Sequence, residues 1–482
     1  MPLAIIASIV VLATLVGCLA GRHRAVNLEE WAIGGRGFGN LMVWFLMAGE
    51  IFTTYSLLGL SGWAYTRGAP VLYAMLYLPL AQIPLYFLGP RQWELGRRHG
   101  MVTLPDFFQW RFGGEWLPAF VALVSAVTLL VYLQLQLVGL GLIVEFASDG
   151  AIPRASAIVV ASVLIALFVF VSGVRGAAWV SIIKDGLMTF AAVFAGIAIP
   201  AIHFGGVGPM FARLLHDHPQ HFVLPGSMAI YGKRWFVTSV LVSIAGACTW
   251  PHTFSSRFTA RSADVVRRNC IAMPVYVLCL LFITFVGFGA MVVVPGLKNG
   301  DLAFLAVVKA TFPVWFLGLI GGAGALTAMV PAAVMLVTAA TLVGKNLWPV
   351  VIGREPSAAA AARLSRWVVI GFSVVGGVLA LSNSKTIAAL LLLAYSGVAQ
   401  FSPAFILGLV WDRATRAGIA AGLVAGLVIA GGLTLKGLDP WHGFNAGLVG
   451  LVVNFAVVFA VSRARAPQAV ALGRIAAAGT AK

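Results

Sequence analysis

The chain has 482 residues, 61% of them apolar and 10% charged, and its 32 Lys and Arg against 15 Asp and Glu give a formal net charge of +17. That composition excludes a soluble globular domain and predicts an integral membrane protein. The positive charge is dispersed among connecting segments, so it predicts no nucleic-acid partner; the partners expected are a lipid bilayer, a small solute and a coupling ion.

A hydrocarbon core roughly 30 Å thick needs about 20 apolar residues in helix. In chain order the sequence supplies such runs near residues 2–20, 41–65, 70–89, 116–147, 155–174, 178–203, 235–259, 271–295, 313–344, 365–382, 386–411, 415–435 and 442–462. The prediction is therefore an all-α polytopic membrane protein of about 13 transmembrane helices. The first run is not read as a cleaved signal peptide, because Met1 to Val16 holds no Lys or Arg while Arg22 and Arg24 follow it. Counting span ends, the connections after odd-numbered spans and the C-terminal tail carry 22 Lys and Arg against 9 in the opposite connections. The positive-inside rule then places the N-terminus outside and the C-terminus inside, in a cytoplasmic (inner) membrane. The chain reads as a single transmembrane transporter domain. It comprises a first span and loop (1–40), two repeats (41–204 and 235–411), two last spans (412–463) and a tail (464–482).

The second span contains "MAGEIFTTYSLLGLSGWAY" (47–65) and the seventh contains "SIAGACTWPHTFSSRF" (243–258). Both carry helix-weakening Gly or Pro together with polar residues, and backbone groups freed in lipid must find partners in the protein or a ligand. Two breaks five spans apart predict inverted repeats, spans 2–6 and 7–11, each opened by a discontinuous helix at a midplane binding site. Glu50 and Thr53 in the second span, Tyr132 and Gln134 in the fourth, and His252 in the seventh are the expected substrate-binding residues. Glu50 lies near mid-bilayer and needs a partner, a proton or water there. For Tyr132 and Gln134, whose two-residue spacing is not one helical face, interhelical hydrogen bonding is the competing expectation. His252 is either a substrate or proton ligand or a satisfied core histidine.

Catalytic patterns are weak. The run "GGRGFGN" (34–40) has no preceding strand and no phosphate-loop Lys, and "HDHPQH" (216–221) reads as a polar loop. Cys18, Cys248, Cys270 and Cys279 show no metal-ligand spacing. No enzyme and no cofactor is predicted, apart from a sodium ion as a possible ligand. A membrane sensor would want an appended signalling domain and a channel a filter repeat; neither pattern is found.

The run 29–65, "EEWAIGGRGFGNLMVWFLMAGEIFTTYSLLGLSGWAY", resembles the start of the sodium:solute symporter family, which includes proline permease and the sodium/galactose transporter. "RRHGMVTLPDFFQWRFGG" (97–114) and "ATLVGKNLW" (340–348) resemble later family segments, and "VRGAAWVSIIKDGL" and "LQLQLVG" resemble the bacterial monocarboxylate permease branch. The resemblance implies a leucine-transporter-like fold of two inverted five-helix repeats and a secondary active transporter, a cation-coupled symporter of a short monocarboxylate or amino acid. It also implies a sodium site made from the carbonyls of Gly49 and Phe52 and from ninth-span residues, which fall on Thr327, Val330 and Pro331. Sodium needs oxygen donors, and Val330 and Pro331 supply no side-chain oxygen. The family's sixth-span aspartate is missing as well, but Ser181, Lys184 and Asp185 share one broad helical face there.

Two readings of Lys184 follow. In some proton-coupled members of the wider superfold a lysine amine takes the sodium position, which would give Lys184 and Glu50 a role in proton coupling. Alternatively Lys184 snorkels to the interface and pairs with Asp185. Conventional sodium symport through a rebuilt site of Gly49, Phe52, Thr327 and Ser181 is the competing mechanism.

Overall fold

The computed structural model describes residues 1–21, 28–354, 357–382 and 385–464. Arg22, Arg24 and residues 465–482 of the expected cytoplasmic tail lie outside the described residues. The described chain is helical, with two isolated bridge pairs in place of strands.

The helices that build the site are α1 (Pro2–Gly21), α2 (Asn40–Ile51), α3 (Leu60–Thr66), α4 (Tyr73–Arg98), α5 (Leu104–Phe112), α6 (Trp116–Ala147), α7 (Arg154–Phe204), α8 (Lys233–Thr249), α9 (Pro251–Ser256), α10 (Pro274–Val293) and α11 (Val314–Thr341). They are followed by α12 (Ala358–Leu381), α13 (Ile387–Val398), α14 (Ser402–Val410), α15 (Arg416–Leu435) and α16 (Ala446–Arg463). The innermost is α11, whose apolar window is 94% buried, and α1, α6 and α7 pack around it. Large apolar side chains such as Phe87, Val163 and Phe190 remain exposed. In a chain this apolar such an outer surface suits lipid, where exposure of hydrocarbon costs nothing.

Among the described residues, ten helices are long and apolar enough to cross a membrane, or eleven when α2 and the bent run Tyr55–Thr66 count as one span. The predicted thirteen are not reproduced as counted, for two reasons. Residues 155–203, expected as two spans, are counted there as the one run α7, although two helices meet at a kink within it, where Gly173 adopts φ 57 and ψ −157. A Cβ there would lie 2.9 Å from the carbonyl oxygen of Trp31, so both backbone conformation and space require glycine. The seventh run is cut short at the 17-residue α8 by a non-helical Trp250.

Both predicted breaks are present. The halves Asn40–Ile51 and Tyr55–Thr66 meet at 53°. In the second, Trp250 has φ −52 and ψ 122, and Pro251 opens α9 at a first-turn position where its missing N–H costs nothing. The two broken segments are also joined through the backbone: Phe38 N donates to Thr259 O at 2.9 Å and Arg261 N donates to Phe38 O at 2.9 Å. The chain entering the first break is thus tied to the chain leaving the second.

Candidate functional site

Helix α2 ends because Phe52 leaves the helical region at φ −77 and ψ 87, which removes the regular acceptors and donors of the following turn. Four of the backbone groups there find specific partners. Ile51 O accepts from Ser56 Oγ at 2.5 Å, and Thr54 N donates to Gln136 Oε1 at 3.3 Å. The carbonyls of Gly49 and Phe52 accept from Lys184 Nζ at 2.7 and 2.9 Å. Asp185 Oδ1 stands 2.9 Å from the same amine, and both side chains are wholly buried. Lys184 therefore reaches into the first break and not toward an interface.

The amine of Lys184 thus sits on the two carbonyls that the family resemblance assigns to sodium. Ser181 lies one turn before Lys184 on α7; its hydroxyl donates to Ala177 O at 2.9 Å. A Cβ on Gly49 would fall 2.7 Å from Ser181 Oγ and 3.3 Å from Lys184 Nζ, so the helices approach this closely only through glycine. Thr327 turns its hydroxyl onto Gly324 O at 2.6 Å within α11, and Val330 and Pro331 are buried beside it in sequence. Neither Val330 nor Pro331 has a side-chain oxygen, and the carbonyls of Gly49 and Phe52 are occupied by the amine of Lys184.

Glu50 connects the two breaks. Its Oε1 accepts from Ser256 Oγ on α9, while its Oε2 is buried with no protein partner. A cavity between α2, α4, α6 and α9 is lined by Glu50, Thr53, Tyr132 and His252, four of the five residues expected to bind substrate. Gln134 is not brought there: its Nε2 donates to Leu379 O of α12 at 3.0 Å. His252 packs its ring 5.6 Å from Tyr132 and 5.2 Å from Trp250, leaving Nδ1 without a partner. Aromatic side chains close the remaining wall, with Tyr132 and Trp250 at 4.8 Å and Trp250 and Tyr395 at 5.2 Å between ring centroids.

One contributor was missed from sequence. Arg257 is 1% exposed, lines the same cavity and donates through Nη1 to Cys248 O and through Nη2 to Ala247 O, each at 3.1 Å. It satisfies the last-turn carbonyls of α8 as Lys184 satisfies those of α2. Gln92 on α4 holds it, accepting from Nη1 at 2.6 Å while donating to Phe254 O at 2.9 Å. The available signal was an arginine six residues beyond the proline of a broken apolar span, which positive-inside counting had assigned to a loop.

The sodium:solute symporter family model matches residues 31–426. The chain is 38% identical over 473 residues to an uncharacterized symporter, YhjB, of Bacillus subtilis, covering 95% of this chain and 96% of the relative. It is 29% identical over 473 residues to a monocarboxylate transport permease protein of Rhizobium johnstonii, covering 94% of each. Among solved structures, a sodium-coupled sialic acid symporter in its substrate-bound outward-open state matches with a TM-score of 0.79 at 16% identity, over 97% of this chain and 98% of that one. The nucleobase-cation-symport-1 transporter Mhp1, in a closed conformation with bromovinylhydantoin bound, matches with a TM-score of 0.60 at 14% identity, over 92% and 97%. These neighbours share the leucine-transporter-like fold, and family and fold alike are those of membrane transporters. The chain belongs to the sodium:solute symporter family.

Proposed function

We propose that this protein is a cation-coupled symporter that imports a short monocarboxylate or amino acid across the cytoplasmic membrane by alternating access, with Lys184 carrying the coupling proton. The observation supporting this most strongly is the amine of Lys184 at 2.7 and 2.9 Å from the carbonyls of Gly49 and Phe52. A protonated amine supplies three donors and a charge. It binds both carbonyls, faces Asp185, and fastens α2 to α7. Deprotonation removes the charge that strengthens those bonds and loosens the break. Because Glu50 adjoins Gly49 and lines the cavity, solute and proton act on the same turn of α2.

Within this reading α7 forms two spans hinged at Gly173, and α8 with α9 forms a further span. Added to the eleven, these give thirteen, with the N-terminus outside and the C-terminus inside.

Uptake by purified protein in proteoliposomes, under separate sodium and proton gradients, tests the proposal. Uptake should follow the proton gradient, and Lys184→Ala should abolish that dependence. Uptake driven by sodium alone, and equally so in Lys184→Ala, would sink the proposal.

A further inference from the structure

We propose that the solute presents an ammonium group to Glu50 and the neighbouring aromatic wall, so that the protein carries small zwitterions in preference to plain monocarboxylate anions. This rests on the transport reading above and narrows its substrate class.

The inference comes from the polar atoms of the cavity that the protein itself does not satisfy. Glu50 Oε2 and Gln82 Oε1 are acceptors, both buried and both without a partner. Buried polar groups in native proteins are nearly always hydrogen-bonded, so such atoms gathered around one cavity point to a ligand. A buried carboxyl beside a wall of electron-rich rings is the chemistry that recognises an ammonium, whose approach favours the ionised carboxylate. Here that wall is Tyr132, Trp250 and Tyr395, in contact with one another as described.

The donors needed for the other end of a zwitterion are present as well. Arg257 Nε carries an N–H with no protein partner, and Nδ1 of His252, a donor in the tautomer protonated there, is also without one; both residues line the cavity. A substrate carboxylate directed to these atoms and an ammonium directed to Glu50 would leave neither end unpaired.

Charge balance favours the same class. Glu50 and Arg257 are the acidic and basic residues lining the cavity, and Lys184 and Asp185 form their own pair alongside. In their usual ionised forms these four groups sum to zero. A zwitterion preserves that balance. A plain carboxylate instead brings a second negative charge toward Glu50 in a site shielded from water, where repulsion is poorly screened.

The test uses full-length protein in proteoliposomes with an inward proton gradient. Its probes are labelled alanine, its deaminated counterpart propionate, proline and glycine betaine. At least one zwitterion should accumulate, and propionate should compete with alanine more weakly by roughly 10- to 100-fold, the range expected for an unpaired buried charge. Glu50→Gln should erase most of that preference and Glu50→Asp restore part of it. Preferred accumulation of propionate, failure of every zwitterion to enter, or an unchanged preference in a folded Glu50→Gln protein overturns the assignment. Should Glu50→Gln not fold, the wild-type ranking of alanine against propionate decides alone. Alanine uptake driven by sodium and indifferent to protons would defeat the proton reading while leaving the ammonium assignment standing.

Discussion

The Nζ of Lys184 and the carbonyl oxygen of Gly49 lie 2.7 Å apart across the interface of α7 and the first broken helix. This contact joins two features separated by 135 residues and fixes how closely their helices approach.

Gly49→Ala is the most direct probe of that approach. The added methyl would meet Ser181 Oγ at 2.7 Å and Lys184 Nζ at 3.3 Å, so helix or amine must move. The expected cost is about 1–3 kcal/mol, typical of overpacking, with loss of uptake. Thermal unfolding in detergent measures the first and proteoliposome flux the second; a variant matching wild type in both contradicts the geometry.

Asp185→Asn leaves a buried ammonium with carbonyl partners and no counter-charge. Breaking a buried pair costs about 3–5 kcal/mol, whereas replacing both members with apolar residues costs less. The double variant Lys184→Met/Asp185→Leu should therefore melt higher than Asp185→Asn alone while remaining inactive. The reverse order of melting temperatures would show that the pair is not the main compensation.

Ser256→Ala removes the hydroxyl that α9 donates to Glu50. A buried carboxylate deprived of a donor is expected to destabilise by about 1–3 kcal/mol. Because this contact joins the two breaks, uptake should fall along with stability. Ser255→Ala is the control, since Ser255 Oγ has no hydrogen-bond partner to lose. Equal effects from both substitutions would mean that the Glu50 contact carries no special weight.

Arg257→Gln should be among the most damaging substitutions, at about 3–5 kcal/mol, because it abandons the carbonyls of Ala247 and Cys248 together. Gln92→Ala removes a single partner of the guanidinium from α4 and should cost less. Unfolding temperatures of the two variants in the same detergent give the comparison, and a Gln92→Ala protein as unstable as Arg257→Gln would argue that the break is held mainly from α4.

Outside the membrane-spanning segments, Asp106 of α5 ties that helix to the helical turn Leu342–Leu347 that follows α11. It accepts from Val102 N at 2.7 Å and Asn346 Nδ2 at 2.9 Å and pairs with Lys345 Nζ at 2.7 Å. Burial pushes its carboxyl upward, but Lys345 and these hydrogen bonds outweigh that and hold it below the usual range. A depressed folded-state pKa gives stability that is present above the unfolded value of about 3.9 and lost as pH falls through the folded one. Asp106→Asn should therefore lower stability at pH 7 by about 2–3 kcal/mol after allowing for screening at the partly exposed Lys345, read as a lower melting temperature, and flatten the acid limb of stability against pH. A parallel acid limb in wild type and variant would contradict the assignment.

Much of the framework was legible from pattern alone. Gly49, Pro251 and the polar residues around them announced the two breaks, because helix interruption in lipid follows from residues that weaken or remove backbone hydrogen bonds. Span count was less secure: the kink that divides α7 at Gly173 depends on a single residue's backbone angles, which apolar periodicity does not encode. The pocket list fared unevenly. Tyr132 and Gln134 are two residues apart and so point to different sides of α6, and composition could not say which side faced the cavity.

By itself, the sequence determined that this chain is a membrane protein, that two of its spans are discontinuous, and that Val330 and Pro331, which the family resemblance sets at a cation site, carry no side-chain oxygen. Those conclusions follow from local chemistry, since hydropathy, backbone donors and side-chain ligands belong to individual residues. Only the tertiary structure decided where the amine of Lys184 goes. From the sequence, a long flexible stem reaches an interface or a carbonyl pair equally well. The close passage of α7 against Gly49 buries the amine and leaves the freed carbonyls of Gly49 and Phe52 as its partners. Tertiary packing likewise turned Arg257 from a loop charge into the group that holds the second break, because only there do the stranded carbonyls of Ala247 and Cys248 come within its reach.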